Sequence, residues 1–522
     1  MYLGSQELSN TNPLVDSNLQ SIKIFEWIGL LILLIAWFNY ILLSTAETKS
    51  QLKEIACHKV NGASSGQMAK KAFTHSVIIS LISLFPALIF ANFTIPLFNL
   101  LFEKQIDSTL LFSPFYLMLI IALTLFTGIA GGSYISLYTA RLKPVNLFKP
   151  LANLNSSKKI LPSNMLIIFQ FLAFILLFSV AIVIEKQVKY SENKGQGFNS
   201  SNVMLIKLND TELRSKLSVI KSRLESNPHV VKFAISSFTP PSEGFINLEL
   251  QEKSTGKVIK EEGLFVGADL IELLQIPVLE GSSFKNATTQ QNELIINETA
   301  AKKYRVRVGD KLGPVQIKGI VKDFHVHSLH TPIKPVLIFK MNDDGCYELA
   351  IRTDGHNDEI IKDVKKIWTE VSPTSFLEYE MLTDRIASFY TKERNQVKSI
   401  TFFTSLAIFL AIIGLLGYVS LTTAKRTKEI GIRKVNGAHI GEILMMLNRG
   451  FIKWVVISFV IACPISYYAM HQWLQNFAYK TELSWWVFAL AGIVAVTVAV
   501  LTVSWQSWRA ATRNPVESLR YE

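Results

Sequence analysis

Seven stretches of the chain contain no charged residue and are rich in apolar ones, and they predict membrane-spanning helices. They cover residues 27–43, 77–101, 114–138, 163–184, 399–424, 454–470 and 483–508. A helix needs about 20 predominantly apolar residues to cross the ~30 Å hydrocarbon core of a bilayer. The pattern therefore predicts a mainly helical membrane protein with seven spans.

A segment of different character, residues 186–398, separates the fourth span from the fifth. It is charged, and short apolar runs alternate in it with polar ones. Residues 293–304 have the pattern of a strand followed by a short helix, and residues 315–324 alternate like a half-buried strand. The segment is long enough for one or two folded domains. We expect a folded α/β domain inserted into the membrane protein.

The composition agrees with a membrane protein. The chain is 49% hydrophobic and only 18% charged, with a mean hydropathy of +0.29. Soluble domains carry about 25% charged residues, so the deficit argues against a soluble multidomain enzyme. The three cysteines, Cys57, Cys346 and Cys463, have no metal-ligand spacing and predict neither a disulfide framework nor a thiolate metal site.

The positions of Lys and Arg in the short loops predict the orientation in the membrane. The loops after spans one, three and five and the carboxyl-terminal tail are basic, whereas the intervening short loops contain only Lys104 and Lys480. Cytoplasmic loops collect Lys and Arg. We therefore expect these basic loops and the carboxyl terminus in the cytoplasm, with the amino terminus and residues 186–398 outside. This also explains the net charge of +12 without nucleic acid as a partner.

A sequence repeat connects the two ends of the chain. Residues 53–64 read KEIACHKVNGAS and residues 428–439 read KEIGIRKVNGAH, so eight of twelve positions are identical. A weaker echo pairs ARLKPVNLFK (140–149) with ATRNPVESLR (511–520). Each copy of the first repeat follows one span and precedes two others. The repeats predict two copies of a three-span module.

Each copy of the repeat predicts a short helix that ends at Asn-Gly. In the second copy, Ile430, Ile432 and Val435 offer apolar contacts among charged residues. Such a helix could dock on a cytoplasmic partner or rest on anionic lipid headgroups. Lipid binding requires no particular sequence, so the repetition of specific residues, including Glu and Asn-Gly, favours docking on a partner.

Several segments resemble a known family. They are TAKRTKEIGIRKVNGAH (423–439), NPVESLRYE (514–522), GFNSSNVMLIKL (197–208), ELIINETAAKKY (293–304), GIVKDFHVHSLHTPIKPVLIF (319–339) and AYKTELSWWVFALAGIVAV (478–496). In this order and spacing they resemble the FtsX/MacB-type permeases of ABC transporters, most closely the duplicated form of Bacteroidetes-like bacteria. The resemblance covers essentially the whole chain.

The resemblance implies seven transmembrane helices, arranged as two repeated three-helix modules plus one extra span, and an inserted α/β (α+β) periplasmic domain of MacB-like type. The domains implied are an external tail (1–22), a first FtsX-like module (23–150), a linker with the fourth span (151–185), a MacB-like periplasmic domain (186–398) and a second FtsX-like module (399–522).

The resemblance also implies that the repeated helices contact an ATPase. Carried over by motif, the ATPase-coupling residues are Lys428, Glu429, Ile430, Gly431, Arg433, Lys434 and Gly437 in the second copy and Lys53, Glu54, Ile55, Lys59 and Gly62 in the first. The first copy departs from the pattern at residues 56–58, which puts the strength of its docking in doubt. The sequence contains no GxxxxGK[ST] phosphate-binding motif, in agreement with an ATPase on a separate subunit.

The function implied is that of a permease subunit that couples ATP hydrolysis by a separate cytoplasmic ATPase dimer to motion of a periplasmic domain, for efflux, lipoprotein or peptide handling, or mechanotransmission. The alternatives left open are a non-transporting regulator of cell-wall hydrolases and an inactive truncated permease. The chain would lie in the bacterial inner membrane, in contact with lipid, with a periplasmic partner protein and a homodimer as further partners. We expect no catalytic residue, cofactor or bound metal.

Two sequence features complicate this interpretation. His325, His327 and His330 form HxHxxH, a spacing that could hold zinc, but no fourth ligand stands at a recognised distance and a turn after a strand is favoured. The family's modules begin with a span and an outer domain, and the first module here lacks both. Residues 1–14 resemble the end of such a domain, so we favour a truncated reading frame over a natural shortened permease.

Overall fold

The computed structural model describes residues 13–50, 52–102, 105–140, 162–242, 246–251, 258–284, 293–341 and 346–512, except for the side chains of residues 13–25 and of scattered others within these ranges. The chain forms two compact units. The helical unit comprises Met1–Glu185, Arg394–His471 and Glu482–Glu522, and the sheet unit comprises Lys186–Glu393 and Gln472–Thr481.

The helices, in chain order, are α1 (Pro13–Ser50), α2 (Leu52–Val60), α3 (Ser65–Phe102), α4 (Pro114–Ala140), α5 (Pro162–Asn193), α6 (Thr211–Ser215), α7 (Leu217–Glu225), α8 (Leu270–Leu273), α9 (Glu298–Tyr304), α10 (Asn357–Val371), α11 (Leu382–Ser388), α12 (Thr391–Lys425), α13 (Thr427–Val435), α14 (Ile440–Leu474) and α15 (Trp485–Ala511). A short 3₁₀ helix, Ser108–Phe112, lies between α3 and α4.

Seven helices within the described residues are long and apolar enough to cross a membrane, and they confirm the seven predicted spans. They are α1, α3, α4, α5, α12, α14 and α15. Of these, α5 is the most buried and α3 the least. Phe171 and Phe174 of α5 form a core with Leu415 of α12 and Val455 of α14. Lipid is as apolar as these side chains, so close packing rather than the hydrophobic effect holds such helices together.

Small residues bring α3 and α4 close together. A Cβ atom added at Gly128 would lie 2.9 Å from Cβ of Ser80, and one added at Gly132 would lie 3.0 Å from Cβ of Ser76. In addition, the hydroxyl of Ser80 donates to the carbonyl of Thr124 at 2.8 Å. Glycine and serine at helix interfaces allow this approach in membranes.

The strands of the sheet unit are β1 (Val203–Lys207), β2 (Val230–Ser236), β3 (Ile246–Gln251), β4 (Val258–Val266), β5 (Val278–Gly281), β6 (Glu293–Asn297), β7 (Lys311–Leu312), β8 (Val315–Val321), β9 (Val336–Lys340), β10 (Glu348–Thr353) and β11 (Tyr379–Met381). They form one mixed sheet in the order β11-β1-β10-β2-β4-β9-β6-β8-β5, with β3 beside β4 and β7 beside β8. The pairs β4–β9 and β6–β8 are parallel.

The sheet is covered on both faces, as the sequence of β1 shows. Met204 and Ile206 pack against Leu217 and Trp368 of the helices on one face. Val203 and Leu205 belong to a second core on the other face. Successive strand residues point to opposite faces, so a strand buried on both faces is a continuous apolar run.

The two predicted strands are confirmed. Residues 293–304 form β6 followed directly by α9, and the side chain of Asn297 caps α9 by accepting a hydrogen bond from the backbone N–H of Ala300 at 3.0 Å. The alternating segment 315–324 forms β8, which ends at Val321. The prediction of a mixed α/β domain is therefore correct.

The loop between α14 and α15 belongs to the sheet unit. Nε2 of Gln187 donates to the carbonyl of Tyr479 at 2.9 Å, and the N–H of Thr481 donates to Oε1 of Gln187 at 2.8 Å. Nζ of Lys194 lies 3.4 Å from the centre of the Tyr479 ring. These contacts tie residues 472–481 to the end of α5.

Candidate functional site

The two repeated segments fold into the same local structure. α2 (Leu52–Val60) and α13 (Thr427–Val435) begin and end at equivalent positions of the repeat, 375 residues apart. Each helix ends at an Asn followed by a Gly with positive φ, +94° at Gly62 and +88° at Gly437. The predicted end of the helix at Asn-Gly is confirmed in both copies.

Matching hydrogen bonds close the two helices. The N–H of Ala63 donates to the carbonyl of His58, and the N–H of Ala438 donates to the carbonyl of Arg433, both at 3.0 Å. The N–H groups of Gly62 and Gly437 donate to the carbonyls of Lys59 and Lys434. This is the Schellman motif, which requires a left-handed residue at the glycine position. It fixes where the next helix begins, at Ser65 and at Ile440.

α13 is anchored on one side and exposed on the other. Ile430 is buried against Ile443, Leu447 and Ala511, and Gly431 is buried beside it. Ile430 therefore holds the helix on its own chain and does not offer an apolar contact to a partner.

The exposed face of α13 carries two charges and two apolar side chains. Oε1 of Glu429 and an Nη atom of Arg433 form an ion pair at 3.2 Å, spaced i,i+4 along the helix. Ile432 is 48% exposed and Val435 is 65% exposed. Apolar residues next to paired charges form a small surface that a protein partner can cover.

In the first copy, polar side chains of α2 contact other residues of the same chain. Oε1 of Glu54 lies 3.2 Å from Nζ of Lys71 on α3 and 3.7 Å from Nε2 of His58. Nζ of Lys59 donates to the carbonyls of Thr139 and Ala140 at 3.3 and 3.4 Å, which are the last residues of α4. A cation at a helix C-terminus satisfies its free carbonyls and its dipole.

A polar pocket of about 200 Å³ lies beside α2, and several of its polar lining residues are replaced by apolar ones at the equivalent positions of the second copy. Its lining includes Tyr40, Ser44, Glu54, Lys71, His75 and Ser76. The positions equivalent to Tyr40, Ser44 and Ser76 are Leu415, Val419 and Phe451, which are buried in an apolar core. Comparing the two copies beyond the twelve repeated residues would have revealed this difference from the sequence.

The structure brings together only part of the predicted site. Glu429 and Arg433 are paired on an exposed face, whereas Ile55 lines the polar pocket. Lys434 occupies the position equivalent to Lys59. The side chains of Lys53 and Lys428, the segment 141–150 and residues 513–522, with most of the second echo, lie outside the described residues.

The three histidines of HxHxxH have separate partners. Nε2 of His327 lies 2.7 Å from Glu262, and Nε2 of His330 lies 3.2 Å from Glu393. The His325 ring packs edge-on against Tyr479. Burial raises the pKa of Glu262, but hydrogen bonds from His327 and Lys334 outweigh it, so the pKa lies below its usual value. The spacing therefore reflects packing of a loop, as expected.

Comparison with known proteins places both repeated helices in one family. The family model described as FtsX-like permease C-terminal matches residues 27–144 and 401–515. The first range contains α2 and the second contains α13.

Individual proteins similar to this chain are also described as permeases. The macrolide export ATP-binding/permease protein MacB of Rhodopirellula baltica is 29% identical over 114 residues, which cover 21% of this chain and 16% of that protein. MacB of Chlorobaculum tepidum is 30% identical over 117 residues, covering 21% and 17%. The uncharacterized ABC transporter permease YknZ of Bacillus subtilis is 26% identical over 117 residues, covering 22% and 30%. The matches thus span about a sixth of each MacB relative.

Solved structures similar to this chain include the periplasmic region of MacB from Actinobacillus actinomycetemcomitans, at 11% identity and a TM-score of 0.28, covering 38% of this chain and 95% of that one. The extracellular domain of YknZ from Gram-positive bacteria has 13% identity and a TM-score of 0.25, covering 34% and 97%. Through its two matches to the family model and its permease relatives, the chain is similar to the FtsX-like permeases of ABC transporters.

Proposed function

We propose that this chain is the membrane subunit of an ABC transporter in the bacterial inner membrane, and that α13 docks on a separate cytoplasmic ATPase. ATP binding and hydrolysis in the ATPase would move α13, and the spans would pass the motion to the sheet unit. The amino terminus would lie outside and the carboxyl terminus in the cytoplasm, as the basic loops predict.

The exposed face of α13 carries the proposal. Glu429, Ile432, Arg433 and Val435 are exposed on a helix whose opposite side is fixed by Ile430. A surface that is rigid before binding loses little conformational entropy when a partner covers it. Because Ile430 packs against α14 and Ala511 of α15, force applied to α13 would reach two spans directly.

The first copy plays a secondary part in the proposal. Glu54 and Lys59 are engaged with Lys71 on α3 and with the end of α4, whereas Glu429 and Arg433 pair with each other on one exposed face of α13. We propose that α2 makes the weaker contact with the ATPase. Continuous helices support transmission to the sheet unit, since α5 and α12 each contain residues of both units.

Co-purification from native membranes in mild detergent tests the docking role. Wild-type protein should retain a P-loop ATPase, and Arg433→Glu should reduce the ATPase recovered by roughly tenfold or more, the loss typical of a central interface residue. Lys302→Glu, on an exposed helix of the sheet unit, changes the net charge equally and should leave binding intact.

A charge-swapped variant separates docking from helix stability. Glu429→Arg combined with Arg433→Glu keeps an i,i+4 ion pair within α13 but reverses the charges that a partner meets. We expect this variant to fold and to lose the ATPase. An intact wild-type protein that binds no P-loop ATPase, or equal recovery with the swapped variant, would contradict the proposal.

A further inference from the structure

A cluster of two histidines and two carboxylates lies at one end of the sheet, and strand register creates it. In the antiparallel pair β2–β10, Val230 lies opposite Thr353. The next residue outward on each strand is His229 and Asp354, and the N–H of Asp354 donates to the carbonyl of His229 at 3.2 Å. The two side chains are adjacent although they are 125 residues apart in the sequence.

The turn after β10 adds the second histidine. Gly355 has a φ of +111°, a conformation that L residues rarely adopt. This turn returns the chain so that the N–H and Nδ1 of His356 both lie within 3.1 Å of Oδ1 of Asp354. His356 directly precedes α10, whose first turn contains Glu359.

The donor atoms converge around Asp354. Nδ1 of His229 lies 3.0 Å from Oδ2 of Asp354, and Nδ1 of His356 lies 3.0 Å from Oδ1. One ligand atom from each of the three residues lies within 4.8 Å of the others. Ligand atoms around a tetrahedral Zn²⁺ with bonds near 2.0–2.1 Å are about 3.4 Å apart, so small side-chain rotations suffice to admit an ion.

We propose that His229, Asp354 and His356 form a binding site for one Zn²⁺-type transition-metal ion. Imidazole nitrogens select zinc, copper and nickel over magnesium or calcium, and two imidazoles with one carboxylate leave a fourth position for water. The ion would replace the protons now shared between the imidazoles and Asp354, so binding would release protons. This site is independent of the proposed coupling function.

Glu359 acts as a positioning residue. Its Oε2 lies 2.9 Å from Nε2 of His229. Histidines that bind metals usually donate their other N–H to a carboxylate, which fixes the tautomer and the ring orientation. With Nε2 held by Glu359, Nδ1 of His229 faces Asp354 and is free of its proton when a metal binds.

Titration of the full-length protein with ZnCl₂ tests the site. The protein is purified in detergent with an affinity tag that contains no histidine, treated with a chelator and dialysed. Isothermal titration calorimetry should show one saturable site with proton release. His229→Asn and His356→Asn should each weaken binding at least tenfold, and Glu359→Gln should weaken it less.

Asp358→Asn is the matched control, because Asp358 is an exposed carboxylate next to Glu359 on α10 and should leave binding unchanged. In the wild-type protein, Zn²⁺ should also protect His229 and His356 from diethylpyrocarbonate, a test that needs no variant. Three results would each show that the cluster forms ion pairs only. They are the absence of saturable Zn²⁺ binding, binding that neither histidine variant weakens, and diethylpyrocarbonate modification that Zn²⁺ does not change.

Discussion

Arg385 joins two carboxylates in the interior of the sheet unit. Its Nη2 atom lies 2.7 Å from both Glu348 and Glu380, and Nη1 donates to the carbonyl of Thr239 at 3.1 Å. Burial alone would lower the pKa of Arg385, but the two carboxylates raise it above its usual value. The guanidinium of Arg385 therefore stays charged, and it supplies the positive charge that pairs with the buried carboxylate of Glu348.

We expect Arg385→Met to lower the stability of the sheet unit by about 3–5 kcal/mol, because it removes the positive charge that pairs with the buried carboxylate of Glu348. Native-state proteolysis measures the change, since cleavage follows the population of opened molecules. Lys207→Met is the control, because the exposed Lys207–Glu378 pair should contribute less than about 1 kcal/mol. Equal cleavage of the two variants would contradict the role of Arg385.

His325 should make the sheet unit sensitive to mild acid. Burial, assisted by the charge of Lys194, lowers the pKa of His325 to about 4, whereas an unfolded histidine has a pKa near 6.5. Between these values the unfolded chain binds more protons than the folded one, so stability falls as pH is lowered from about 6.5 to 4.

We expect His325→Phe to lose less stability than the wild-type protein between pH 7 and pH 5, as measured by native-state proteolysis at both values. His439→Phe, at an exposed position before α14, should behave like the wild type. If all three proteins lose the same stability, His325 does not cause the acid sensitivity.

Histidines show why sequence spacing has limited value for site prediction. HxHxxH has a metal-like spacing, yet the loop sends each ring to a different partner. His229 and Asp354 show no local spacing at all, because only the β2–β10 register brings them together. Long-range pairing of this kind is not visible in one sequence.

At the scale of elements, Gly437 should be required for the geometry of the junction between α13 and α14. Its φ is +88° and a Cβ atom there would meet nothing within 4 Å, so a side chain would cost only conformational energy. A left-handed conformation costs an L residue about 1–2 kcal/mol. We expect Gly437→Val to speed hydrogen exchange at the junction by roughly tenfold.

Gly441→Ala is the control for this junction. Gly441 lies in the first turn of α14, and a Cβ atom there also meets nothing within 4 Å. Alanine favours a helix over glycine by about 1 kcal/mol, so exchange should be unchanged or slower. Faster hydrogen exchange in Gly441→Ala, or an unchanged exchange rate in Gly437→Val, would contradict the role assigned to the helix end.

The sequence predicted the elements that are determined by residues close together in the chain. Charge-free stretches identified the seven spans, and Asn-Gly marked the ends of α2 and α13. The place of residues 472–481 was not predicted, because it depends on Gln187 and Lys194 nearly 300 residues earlier. The burial of Ile430 was also missed, since its partners come from α14 and α15.

At the scale of the whole molecule, the native cysteines can report the orientation. Cys57 is exposed on α2, Cys346 is fully buried, and Cys463 lies within the predicted span 454–470. We expect a charged, membrane-impermeant maleimide to label Cys57 in inside-out vesicles and no cysteine in right-side-out vesicles. Cys57→Ser should abolish the signal, and labelling of Cys57 from the outside would reverse the proposed topology.

Composition and hydropathy predicted a membrane protein with an inserted folded domain. They did not predict which segments of the chain belong to each of the two units. The sheet unit ends its main segment at Glu393 and adds Gln472–Thr481. The contrast between the polar pocket beside α2 and the apolar core at the equivalent positions of the second copy is, by comparison, visible when the two copies are aligned beyond the repeat. The two copies therefore have different surroundings despite their similar sequences.

Site-specific photo-crosslinking from Val435 tests the central proposal most directly. A photoreactive residue at this 65% exposed position of α13 should form an adduct with a P-loop ATPase in native membranes. The same residue at Leu97, exposed on the apolar span of α3, should form none. Adducts with lipid alone from Val435, while the ATPase is present, would contradict ATPase docking through α13.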